Sequence, residues 1–159
     1  MNLFIKQRVF SWGDKFTIYD ENGNDLYYVQ GEVFSFGKKL HVYNLSGEEA
    51  AYIEQKPFSF LPKYVLYING AEIATVVKEF TFFRQAYSIE GLGWSVEGNF
   101  FAHEYTVSSD SETVASVSKE WFTLGDAYAI NVPDKSDELA ALCVVLVIDA
   151  CLRASAASS

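Results

Sequence analysis

The sequence is poor in the residues that carry chemistry. It has two cysteines and two histidines, with no C-x-x-C and no H-x-x-x-H spacing, so it offers no ready zinc donor set. There is no G-x-S-x-G elbow and no glycine-rich phosphate loop with a lysine. Gly91-Leu-Gly93 opens no helix and reads as a turn. Positive charge is scarce too: 12 basic residues stand against 21 acidic ones, for a formal net charge of −9. Neutralising nucleic-acid phosphates needs clustered Lys and Arg, and the densest basic pair is Lys38-Lys39, which argues against nucleic acid as a partner. The first residues, Met1-Asn-Leu-Phe-Ile-Lys-Gln-Arg8, lack the unbroken apolar core of a signal peptide. The longest apolar run, Leu139 to Leu152, is shorter than the roughly 20 residues of a bilayer span, so no transmembrane segment is expected.

What the chain does have is β-forming bulk. Hydrophobic residues make up 50% of its 159 positions and aromatics 16%, including 13 Phe and 10 Tyr. That length fits one domain, 1–159. Turn signals divide the chain into a meander. Asp20-Glu-Asn-Gly-Asn-Asp25, Leu45-Ser-Gly-Glu48, Asn69-Gly70, Glu90-Gly-Leu-Gly93 and Ser108-Ser-Asp-Ser-Glu112 each separate two apolar runs, and Asn-Gly is the strongest short hairpin signal. A tripeptide, Phe followed by Ser or Thr and then Phe, Trp or Leu, recurs at Phe10, Phe34, Phe58, Phe80 and Phe122. Phe100-Phe101 sits near the middle of the last, doubled interval. Each period holds two strands with their turns, so the repeat predicts about twelve strands over about 3–132.

The final apolar run completes the fold prediction. From Leu139 to Leu152 only Asp149 is polar, and a helix that is apolar all round must be buried. A barrel of about twelve strands has a bore wider than its own side chains fill, and a helix about 10 Å across fits it. The fold class expected is therefore mainly β: an antiparallel closed barrel of about 12 strands wrapped around a buried C-terminal helix over about 136–153, with a frayed tail at 154–159. Asp134 or Ser136 caps the helix, and Asp137 and Glu138 suit its positive end. Cys143 and Cys151 would lie roughly 12 Å apart along it, too far for a disulfide. They read as buried, unreactive thiols in a reducing, cytoplasmic compartment. His41 and His103 are each placed in strands. Asp149 is expected to have a structural role, near an open end of the barrel, paired with Arg153, or bonded to barrel groups. The tryptophans Trp12, Trp94 and Trp121 are assigned to core or rim packing.

These segments resemble the LURP-one-related family. The resemblance is carried by Phe16-Thr-Ile-Tyr-Asp-Glu-Asn-Gly-Asn-Asp-Leu-Tyr-Tyr-Val-Gln-Gly31, Lys39-Leu-His-Val-Tyr43, Gly47-Glu-Glu49 leading to Tyr52-Ile-Glu-Gln-Lys56, Tyr128-Ala-Ile-Asn-Val-Pro-Asp134 and the helix closing on Val147-Ile-Asp149. It implies the fold shared with tubby C-terminal domains and similar to phospholipid scramblases, again a barrel around a hydrophobic helix. Tubby domains bind phosphoinositides through exterior basic residues. That implication makes Lys38, Lys39 and Lys63 the candidate contacts for an anionic headgroup, provided they converge on one face.

With no catalytic residue, cofactor site or metal site assigned, the function expected is a non-enzymatic binding or regulatory module. Its partner is an unidentified protein or anionic lipid, and it is cytoplasmic or peripheral at the inner membrane face. The competing expectation is a small-ligand carrier or enzyme with a site among the barrel loops.

Overall fold

The computed structural model describes residues 1–6, 15–34, 37–79, 86–120 and 127–157. Where hydrophobic side chains alternate with polar ones the chain forms strands. They are β1 (Asn2–Lys6), β2 (Lys15–Tyr19), β3 (Asp25–Phe34), β4 (Gly37–Tyr43), β5 (Glu49–Gln55), β6 (Lys63–Ile68), β7 (Ala71–Glu79), β8 (Ala86–Glu90), β9 (Trp94–Asn99), β10 (Glu104–Ser109), β11 (Glu112–Glu120) and β12 (Ala127–Asn131). Each pairs antiparallel with its chain neighbours, and β1 pairs with β12, so the meander closes into a twelve-stranded barrel. Of the tripeptide copies, the one at Phe34 begins at the end of β3 and the one at Phe58 lies in the β5–β6 connection, two strands further on. Closure removes the sheet edges that would otherwise invite pairing with other chains.

The turns form for the reasons the sequence indicated. Asn69 and Gly70 both have positive φ, 50° and 80°, as a tight two-residue hairpin between β6 and β7 requires. Asp20 accepts from the backbone N–H groups of Asn22 and Asn24 at 2.9 and 2.8 Å, and Asn44 serves Ser46 and Glu48 in the same way.

After β12 a 3₁₀ turn, Lys135–Asp137, is capped by Asp134 and leads into α1, Glu138–Ala157. The helix continues past 153 through the alanine-rich stretch expected to fray, consistent with alanine's high helix propensity. From Ala140 to Ile148 every residue is buried, and the inward residues of the strands join the helix in one core. Leu3, Ile18, Val29, Val42, Leu66 and Ile130 have no measurable exposure on the barrel side; Leu142, Val144 and Val147 have none on the helix. The helix is the filling of the barrel. Among the described residues no helix is long and apolar enough to cross a membrane.

Trp94 packs in the core, while Trp12 and Trp121 lie outside the described residues. His103 differs from expectation. It occupies the turn before β10 with φ 54°, is buried, and stacks on Tyr128 at 4.6 Å. The left-handed turn, which histidine tolerates better than bulkier residues do, breaks the two-residue alternation that suggested a strand.

Candidate functional site at the outlet rim

The helix gives the barrel a direction. At the inlet rim, where α1 begins, the Tyr27 hydroxyl donates to Glu138 at 2.9 Å. At the outlet rim, Cys151 hydrogen-bonds with Tyr64 and Tyr87, near the first residues of β6 and β8. Burial pushes the Cys151 thiol up, and Lys78, Tyr64, Lys38 and Tyr87 pull it part of the way back. Two lysines from different strands therefore act on the same sulfur.

Strand geometry explains how they come together. Lys38 shares the inward parity of Leu40 and Val42 on β4, and Lys78 that of Ala74 and Val76 on β7, so both sit at the barrel mouth. Lys39, one residue from Lys38, takes the opposite face, in register with Glu32 on β3 and Glu54 on β5. Lys63 opens β6 at the same rim. Its carbonyl accepts from the Lys56 N–H at 2.9 Å, and the Pro62 carbonyl accepts from the Lys78 N–H at 3.1 Å. Of the three lysines singled out from sequence, Lys38 and Lys63 lie at this rim and Lys39 turns to the outer wall. Lys56 and Lys78, which sequence reasoning missed, join the rim group, with Glu79 following Lys78 on its strand.

The segment between Lys56 and Lys63 carries two aromatic rings that the sequence repeat did not mark as unusual. Phe58 and Phe60 are almost wholly exposed. Pro57 interrupts the ladder after β5, so the Phe-Ser-Phe alternation here belongs to a loop and buries neither ring. The copies near Phe10, Phe80 and Phe122 lie outside the described residues, as does the side chain of Phe34.

The inlet rim has the opposite charge. Its turns present Asp20, Glu21, Glu48, Asp110, Asp134 and Asp137, with Lys135 the one basic residue on those described turns. Among the described residues the inlet turns are thus acidic, while Lys38, Lys56, Lys63 and Lys78 lie at the other end of the barrel axis, where Glu54, Glu79 and Glu104 also sit.

His41, half-buried on the outer face of β4, has Glu49 at 2.7 Å from Nδ1 and Glu32 at 2.9 Å from Nε2. Only the imidazolium can donate to both carboxylates. Burial alone would lower the His41 pKa, but the two bonded carboxylates outweigh it and raise the pKa above its ordinary value. Asp149 is half-buried at the outlet end of α1, where it adds to the burial that pushes Tyr105 well above the phenol range. Arg153, its expected partner, has a side chain outside the described residues. No three His, Cys, Asp or Glu side chains gather as metal ligands among the described residues. A separate groove of about 460 Å³ crosses the outer wall, lined by Lys15, Tyr28, Val29, Gln30, Tyr43 and Gly47.

Three comparisons bear on this arrangement. A family model described as LURP-one-related matches residues 1–149. The Bacillus subtilis (strain 168) protein named uncharacterized protein YxjI is 34% identical over 149 residues, spanning 94% of this chain and 92% of that protein. The X-ray structure of an Arabidopsis thaliana protein superposes with a TM-score of 0.65 at 17% identity, covering 94% of this chain and 90% of the other, a likeness of fold.

Proposed function

The chain belongs to the LURP-one-related family, and on that footing we propose that it is a non-enzymatic binding module of one domain that docks peripherally on anionic membrane surfaces through its outlet rim. What supports this reading is that Lys38, Lys56, Lys63 and Lys78 all belong to one end of a barrel whose opposite turns are acidic. Each lysine near an anionic leaflet contributes ~1 kcal/mol. The net charge of −9 opposes docking less than its size implies. The acidic rim is about a helix length away, roughly 30 Å, several times the ~8 Å screening length at physiological salt. The tubby-like resemblance points to the same class of partner. Two thiols without a disulfide suit a reducing interior, and we place the protein in the cytoplasm at the inner membrane face.

Flotation with phosphatidylcholine vesicles, with and without phosphatidylserine, tests the reading. Binding should require the anionic lipid and weaken as salt rises. Lys56→Gln with Lys63→Gln should lower affinity about thirtyfold, at ~1 kcal/mol per lysine. Salt-independent binding, or none at low salt, would overturn it.

The outer-wall groove supports a second reading, a small-ligand carrier, because its volume falls in the range of ligand pockets. A thermal-shift screen of metabolites would favour that reading if a saturable ligand were lost on Tyr43→Ala.

A further inference from the structure

Charge explains attraction to an anionic surface but not what happens on arrival, and the loop from Lys56 to Lys63 addresses the second question. Its sequence is Lys-Pro-Phe-Ser-Phe-Leu-Pro-Lys: an aromatic tip, a proline at each shoulder and a lysine at each base. Phe58 is 94% exposed and Phe60 99%, whereas Tyr64, Tyr87 and Phe100 in the same half of the barrel are buried. Two adjacent, fully wetted Phe rings are a cost in water unless something removes them from it. The loop is also held in shape. The Lys56 N–H to Lys63 carbonyl bond closes its neck, and the Lys78 N–H to Pro62 carbonyl bond ties one shoulder to β7. Phe58 itself is kept at φ 62°, a left-handed conformation that a bulky side chain adopts only when its surroundings impose it. Phe101, 69% exposed, lies on the β9–β10 connection of the same rim.

Resting on the docking reading above, we propose that this loop is a membrane wedge: Phe58 and Phe60 enter the headgroup–acyl boundary of an anionic bilayer while Lys56 and Lys63 stay at the phosphates. Aromatic rings favour that boundary, and lysines extend back from it to the headgroups. The arrangement commits to a bilayer over a soluble anion because a free phosphate has no apolar phase to accept the rings. The prolines and the closed neck reduce the ordering entropy that insertion would otherwise cost.

The test uses the full chain with Ser59→Cys at the tip, labelled with an environment-sensitive fluorophore; Cys143 and Cys151 are buried and stay unlabelled in the folded protein. On phosphatidylcholine–phosphatidylserine vesicles the emission should shift blue and be quenched by nitroxide on the lipid chains. In the unlabelled protein, Phe58→Ser with Phe60→Ser should weaken vesicle binding about tenfold or more per ring. The thermal midpoint should not change, since neither ring is packed. Salt-sensitive binding without a change in emission, or undiminished binding by the double serine variant, overturns the wedge and leaves the docking reading standing. No vesicle binding at any salt overturns both. A wild-type dimer that the double serine variant converts to monomer, with no lipid response, assigns the rings to a second copy and likewise overturns the wedge.

Discussion

Tyr27 on the barrel wall and Glu138 on the first turn of α1 meet in a 2.9 Å hydrogen bond that joins positions 111 residues apart. Glu138 is 5% exposed, so its carboxylate depends on groups such as this hydroxyl in place of water. The bond anchors the helix at the inlet rim, as the Tyr64 and Tyr87 contacts to Cys151 do at the outlet.

Tyr27→Phe removes the donor and keeps the ring. It should cost about 1–3 kcal/mol, the penalty for depriving a buried acceptor of its partner. Glu138→Gln should cost less, because the amide oxygen still accepts. Urea titration of both single variants and the double variant gives the coupling energy, which should be favourable.

His41 should make stability depend on pH. Its folded pKa lies above the ordinary 6.5 because Glu32 and Glu49 bond the imidazolium. A raised folded pKa gives a contribution fully present below 6.5 and lost as pH climbs through the folded value. Both glutamates are partly exposed, so the effect should stay within the ~0.2–1 kcal/mol of such pairs. Chemical denaturation across this interval should lose that slope in His41→Gln.

Gly98 on β9 has φ 139°, and a Cβ there would fall 2.5 Å from the Glu104 carbonyl oxygen on β10. Gly98→Ala should cost about 1–3 kcal/mol from the backbone conformation, with the steric clash added to it. A lowered urea midpoint with an unchanged slope would report this as lost stability.

The thiols should be silent in the native protein. Burial raises Cys143 to about 12, and Cys151 is raised as well. Aromatic disulfide reagents at mildly alkaline pH should react with neither until urea opens the fold, when both titrate.

The sequence made the barrel and its filling legible because both rest on periodic signals. Strand alternation, Asn69-Gly70 and the Leu139–Leu152 run, apolar but for Asp149, each have one physical reading at this length. The site was less legible. Lys38-Lys39 looked like a pair in sequence, yet neighbours on a strand point to opposite faces, a rule that could have separated them. Lys78 joins Lys38 only through the register of distant strands, which no local pattern encodes. Phe58 and Phe60 matched the core repeat, and only the flanking Pro57 and Pro62 hinted that this copy lies off the ladder. Nothing in one sequence announces that Tyr27 will meet Glu138.

The seam between β1 and β12 has a further consequence. Met1 and Val132 bond across it, with Val132 N–H to the Met1 carbonyl at 2.9 Å, and α1 follows only after that seam. During synthesis the first stave therefore waits for the last before the hoop can shut, and the stuffing arrives later still. Until then the nascent chain holds a row of inward greasy side chains with nothing to embrace. Folding should accordingly be slow, and the unfinished cylinder is the form a chaperone would meet.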